Sequence, residues 1–276
     1  MRSYLAEVLE GLSSTDAVRS SSTDAVRSPS TDAVRSSINA SGTNAPTFLR
    51  GGRRAALEAL QAFTADGYTR RNFVNGGVSR LSAYLRHGVL SITEVADHVR
   101  RVARGRDRLE FLKQLAWREF FNLVLEQEGA KVLENLEEPK YSARWQDALP
   151  DDVRQANTGL PCVDAWVGRL IGTGYMHNHE RLWFAAYLTH WRGIHWKAGY
   201  RFFREHLLDG DVASNALSWQ WVASTFSSKP YFMNQDNIKK YSNDAYCSSC
   251  TVSCPFQRRY NQLERELFGG MHGWTA

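Results

Sequence analysis

The segment Asp209–Trp221, DGDVASNALSWQW, gathers two carboxylates, two amides and two indoles within a few helical turns. A buried carboxylate needs a cation or ligand hydroxyls to offset its lost hydration, so this mixture suits a buried redox cofactor better than a plain core. Two residues along a helix rotate the side-chain direction by about 200°. Trp219 and Trp221 therefore face opposite sides, one inward and one towards a cleft. Arg181, in HNHERLW, is the candidate cation for Asp209. The same residues also fit an ordinary amphipathic helix with a capped start.

A second chemical segment is NGGVSRLSAYLRHG, where Ser79, Arg80 and Ser82 follow flexible glycines at an expected helix start. Free amide N–H groups, hydroxyls and a guanidinium together suit a phosphate or pyrophosphate. Serine at such a place also serves as a plain cap. The third is the cysteine set. Cys247, Cys250 and Cys254 read C-x2-C-x3-C-P, and Cys162 lies far upstream. Thiolates at this spacing bind zinc or an iron–sulfur cluster, with free thiols the alternative; a disulfide is disfavoured in a reducing cytoplasm.

The elements that must carry these groups read as helices. AALEALQAF, RLSAYLRHG, ITEVADHVRRVA, RLEFLKQLAWREFFNLVL, VDAWVGRLIG, ERLWFAAYLTHWRGIHW and YRFFREHLL space apolar residues by three and four, with breaks at Gly and Pro. No convincing strand pair lies between them, so the fold class is all-α. The 276 residues, 43% hydrophobic and 12% aromatic, can bury a large core. Nine Trp is a high count, and many sit beside Arg, Asn, His or Gln. The formal charge of +5 permits a polyanionic partner without requiring one. No apolar run approaches bilayer length and no signal-peptide core opens the chain, which points to a cytoplasmic protein away from membranes.

Residues 1–12 read as a short helix, and residues 13–47 as a Ser-rich tail built on three near-identical octads. A period of eight fits neither a solenoid nor a heptad, and each unit carries too little apolar surface to offset its ordering entropy. The helical domain is expected over 48–241, with a Cys-rich segment and a last helix over 242–276.

Taken together, Tyr68 with RRNF, SRLSAYLRHG, QLAWREFF, TGLPCVDAW, TGYMHNHERL and DGDVASNALSWQW resemble the flavin-binding domain of DNA photolyases and cryptochromes, in family order. The resemblance implies that helical fold standing without its N-terminal α/β antenna domain, and FAD as cofactor. By position it implies that Tyr68, Ser79, Arg80, Leu81 and Ser82 hold the FAD phosphates and ribityl chain. Arg118, Asn178, Arg181, Asp209 and Asp211 would line the rest, and Asn215 would stand beside the flavin N5. An amide there favours an anionic reduced flavin, as in repair enzymes. Trp219, Trp196 and Trp145 match an electron-carrying tryptophan chain. Trp117 and Trp221 match rings that sandwich a lesion flipped out of DNA carrying pyrimidine dimers.

This sequence departs from the family at the lesion contacts. Gln114 replaces a Glu, Leu182 a Met and His179 an Arg, and Asn178 and Leu182 stand where the (6-4) branch carries His. The C-terminal KPYFMNQDNIKKYSNDAYCSSCTVSCPF also resembles the bacterial iron–sulfur branch, which implies a [4Fe-4S] cluster on Cys162, Cys247, Cys250 and Cys254, although the Cys250–Cys254 loop is shorter here. Three functions follow as expectations. One is light-driven repair of pyrimidine dimers; another is a blue-light photoreceptor with a protein partner at the N-terminal tail. The third is a helical scaffold that has lost FAD.

Overall fold

In the computed structural model, residues 49–269 are described. The expectations for residues 1–12 and 13–47, and for the end of the C-terminal segment, lie outside them. Among the described residues the fold is helical, with one isolated bridge between Gln146 and Ile194 and no strand. In chain order the helices are α1 (Arg53–Ala62), α2 (Ser82–Arg86), α3 (Ile92–Val102), α4 (Gly105–Glu128), α5 (Asp151–Arg154), α6 (Pro161–Thr173), α7 (Asn178–Ala186), α8 (Trp196–His206), α9 (Val212–Ala223), α10 (Gln235–Ser242) and α11 (Tyr260–Phe268).

Local chemistry sets several of the starts. Ser91 and Glu94 form a reciprocal capping box on α3, satisfying two N–H groups the helix cannot pair itself. Asp211 caps α9 by accepting from the Ser214 N–H at 2.6 Å. His177 caps α7 through Nδ1, with Glu180 reaching back to the His177 N–H at 3.1 Å. The run ERLWFAAYLTHWRGIHW, expected as one helix, is split. Helix α7 ends at Ala186, a π turn follows over Tyr187–Trp191, and α8 begins at Trp196. The turn between them passes through Gly193 at φ +60°, a conformation that costs glycine little.

The apolar side chains form two separate cores. One, from α1 to the first half of α4, holds Leu60, Tyr68, Leu81, Val95 and Phe111. The larger one, from α5 to Phe256 beyond α10, holds Trp166, Trp183, Trp196, Trp219 and Phe184. Helix α9 packs against α8, α4 and α7. It therefore links the larger core to α4, with Asp211 as its cap and Asp209 just before it, while Trp219 enters the larger core.

Candidate functional site

A polar seam joins the two cores. Arg181 of α7 pairs with Asp209 at 3.0 Å, as expected from the sequence, and the Ser82 hydroxyl of α2 donates to the same carboxylate. Arg118 of α4 pairs with Asp211 at 3.2 Å, a partnership the sequence left open. The Asp209 side chain keeps 9% of its exposure. Burial pushes its carboxyl up, but Arg181, the Ser82 hydroxyl and Arg118 more than reverse this and hold it below 3.8. Asp211 both caps α9 and faces a cation, so the helix start and the ion pair fix each other.

The seam contains polar atoms that the protein itself does not satisfy. Ser214 Oγ is buried without a hydrogen-bond partner, and Asp209 Oδ1 and Asp211 Oδ2 face guanidinium groups without a well-formed hydrogen bond. Native proteins rarely leave such groups bare, so the donor and acceptor set fits a ligand rich in hydroxyls and phosphate. Beside it, Arg80 has φ +54° and its guanidinium lies over the Tyr175 ring at 5.3 Å. A non-glycine residue held there stores backbone strain, which concentrates at functional sites. Tyr68, packed edge-on to Phe111 at 4.9 Å, has its phenol pushed up to about 12 by burial, so it remains a donor.

Other expected binding residues differ in detail. Leu81 is fully buried in the smaller core, so only its backbone can serve a ligand. Ser79 accepts from the Leu81 N–H at 3.3 Å as a turn hydroxyl, and the short α2 has no side-chain cap, which overturns the reading of these serines as caps. Asn178 is exposed at the first position of α7. Asn215 is buried and donates its amide to the Tyr200 carbonyl at 3.1 Å, which fixes which way the amide points.

Trp219 and Trp221 do face opposite sides, at 2% and 42% exposure. The Trp219 ring lies against Gly199 of α8, one turn beyond Trp196, where a Cβ would come within 2.1 Å of the indole. An isolated Gly within the apolar period WKAGYRFF was the one sequence signal of this approach. Trp196 is fully buried and donates its N–H to Asn135 Oδ1 at 2.7 Å. The Trp145 loop is pinned to the start of α8, the Gln146 N–H donating to the Gly193 carbonyl and the His195 N–H to the Gln146 carbonyl, both at 2.8 Å. His195 then bridges Trp145 and Trp196, with ring separations of 4.8 and 5.7 Å.

Of the expected DNA contacts, Gln114 and Trp117 are half-buried on α4, a turn before or beside Arg118, and Leu182 is half-buried against the larger core. Trp221 tilts over Tyr231 at 5.5 Å and opens a cavity of about 360 Å³ with Lys229, Phe232, Tyr260 and Glu264. His179 is placed less openly than the other four. It is buried between Trp183 and Tyr241, each 4.6 Å away, and donates Nδ1–H to the Asn72 carbonyl at 2.6 Å. Burial lowers its pKa, and its Nε2 lies 3.4 Å from the Tyr231 hydroxyl, so its polar atoms are engaged within the protein.

All four cysteines are free thiols. Burial raises Cys162 to about 12 and Cys247 to about 11; Cys162 also feels the charge of the other three, and Cys247 that of Cys254 and Cys250. Yet among the described residues no three His, Cys, Asp or Glu side chains are arranged to hold a metal ion. Thiolates on one zinc stand within about 4 Å of one another. The arrangement therefore supports neither the expected [4Fe-4S] cluster nor the zinc alternative; Asn243 and Asp244 in the Cys loop both take positive φ.

The family described as the FAD binding domain of DNA photolyase matches residues 111–260. This chain belongs to that family. A deoxyribodipyrimidine photo-lyase of Halobacterium salinarum is 36% identical over 197 residues, covering 66% of this chain and 41% of that protein. Among solved structures, a Synechocystis cryptochrome superposes with a TM-score of 0.63 at 28% identity, over 70% of this chain and 43% of the other. An archaeal photolyase from Sulfolobus tokodaii, which holds two FAD molecules, gives 0.60 at 26% identity over 74% of this chain and 47% of the other. The chain thus spans under half the length of these photolyases and cryptochromes. The match runs from mid α4 to the start of α11, so Arg118, Asn178, Arg181, Asp209, Asp211 and Asn215 all fall inside the photolyase FAD-binding domain. Among the described residues no helix is long and apolar enough to cross a membrane.

Proposed function

We propose that this chain binds FAD in the seam and drives light-dependent electron transfer from reduced flavin to a pyrimidine dimer in DNA. The observation that carries the reading is the two ion pairs, Arg181–Asp209 and Arg118–Asp211, gathered at the start of the helix that carries the buried Asn215 and Trp219. When bound, FAD supplies light absorption and one-electron chemistry. Arg80, Ser79 and the backbone at Leu81 hold its phosphates, and Ser82, Asp209 and Asp211 take its hydroxyls. Asn178 closes the exposed rim, Tyr68 donates from the side, and Asn215 offers an amide that cannot supply a proton. Trp219, Trp196 and Trp145 carry electrons outward along α8. Trp117 and Trp221, with Gln114 and Leu182, form the face for an extruded lesion.

Illumination of anaerobic, FAD-loaded protein with an oligonucleotide carrying a thymine dimer tests this directly. Restored thymines are expected; flavin photoreduction without repair would refute the enzyme and leave the second reading, a blue-light photoreceptor. That alternative is favoured by one observation, the loss of a polar lesion contact at the buried His179. Affinity for damaged DNA should also fall steeply with salt, because phosphate contacts release counterions.

For the cysteines we propose a [4Fe-4S] cluster in preference to zinc. Cys162 lies near enough to Cys247, Cys250 and Cys254 to feel the charge of each, and four cysteines are the ligand set such a cluster takes. Iron and acid-labile sulfide in anaerobically purified protein test it; four thiols freely titrated by a disulfide reagent, with no iron, overturn it.

A further inference from the structure

Tyr141 and His190 form a hydrogen-bonded pair at the outer end of the indole series. Nε2 of His190 lies 3.0 Å from the Tyr231 carbonyl, which can only accept, so Nε2 carries the proton. Nδ1 is then a lone pair, and the Tyr141 hydroxyl, 3.0 Å away, donates to it. The Tyr141 ring stands edge-on to Trp145 at 6.3 Å. Phe268 covers the pair, 4.9 Å from Tyr141 and 5.0 Å from His190. The Trp145 indole N–H is buried without a well-formed hydrogen bond, yet it lies near enough to moderate the upward push of burial on the Tyr141 phenol. An oxidised Trp145 therefore has no bonded base of its own, whereas its neighbour does.

We infer that Tyr141 is the terminal electron donor of the relay, giving one electron to oxidised Trp145 while its proton passes to Nδ1 of His190. The inference rests on the indole relay proposed above. The balance is complete. The Trp145 radical cation returns to neutral tryptophan, Tyr141 becomes a neutral phenoxyl radical, and His190 becomes an imidazolium. The imidazolium keeps its bond to the Tyr231 carbonyl and donates the new N–H back to the phenoxyl oxygen, which holds the proton for the reverse step. The π turn over Tyr187–Trp191 places His190 at this point, in keeping with the habit of such turns to occur at functional sites.

Transient absorption and electron paramagnetic resonance on the illuminated, FAD-loaded full chain read the pair. Tyrosyl signal growing as tryptophanyl signal decays is expected, slowed in D2O. Tyr141→Phe and His190→Gln should each lose the tyrosyl signal and leave a longer-lived tryptophanyl one. Tyrosyl signal that persists in both variants, or a wild type that stops at tryptophan, overturns the inference. A second arm needs no flavin: pulse-generated azide radicals oxidise tryptophan in the same protein, and transfer to tyrosine must drop in Tyr141→Phe. Failure of the light arm alone overturns the relay, while this second arm still decides the pair.

Discussion

Gly199→Ala offers a sharp test because two ordinary rules predict opposite signs. Inside a helix, alanine is favoured over glycine by about 1 kcal/mol, so an open site would be stabilised. Here the new Cβ would lie 2.1 Å from one Trp219 ring carbon and 2.5 Å from two others. Carbon atoms in contact prefer about 3.5–4.0 Å, so the indole must retreat by about 1.4 Å. It cannot do so freely, since Phe203 stands edge-on at 5.1 Å and Phe184 at 6.2 Å. Overpacking of this kind costs about 1–3 kcal/mol. For a domain of this size that lowers the melting temperature by about 2–12 °C. The indole also moves relative to the seam, so FAD affinity should fall with stability. Thermal denaturation and flavin titration of Gly199→Ala measure both. A double-mutant cycle with Trp219→Leu isolates the cause, because removing the ring should make the alanine harmless or favourable. A single Gly199→Ala variant that melts higher than wild type would refute the close approach of α8 and α9 argued here.

Asp209→Asn leaves Arg181 without its counter-charge. Breaking a buried pair costs about 3–5 kcal/mol, towards the lower end here because Arg181 keeps 22% exposure, and denaturant unfolding with flavin titration should show both effects. His177 is held down to about 4 by burial, from 6.5 when exposed. The unfolded chain takes up that proton first, so stability should fall by up to about 3 kcal/mol as pH drops from 6.5 to 4, and His177→Asn, which keeps the cap, should flatten the slope. The depressed carboxyl of Asp209 contributes stability that is present above about pH 4 and is lost as pH falls further through its folded pKa, a loss absent from Asp209→Asn in acid unfolding. Trp221→Ala removes a ring that is 42% exposed. Its stability change should stay within about 1 kcal/mol, while affinity for single-stranded or dimer-containing DNA should fall by about 1–3 kcal/mol in a filter or anisotropy titration.

What the chain reveals by itself is local. Spacing of three and four residues marks the helices, because one turn repeats every 3.6 residues whatever packs on it. The same rotation sends Trp219 inward and Trp221 outward, and DGDVASN announces both an N-cap and a charge that needs a cation. Arg181 could be matched to Asp209 since the short motif HNHERLW offers few alternatives. Partners from distant segments are another matter. Arg118 finds Asp211, Asn72 and Tyr241 enclose His179, and Gly199 receives Trp219 only after α4, α7, α8 and α9 take up their mutual registers. A periodic pattern states which face of a helix is buried, but not what it meets. The Tyr141–His190 bond and the approach of Cys162 to the three late cysteines belong to that second class, because each joins segments far apart in the chain.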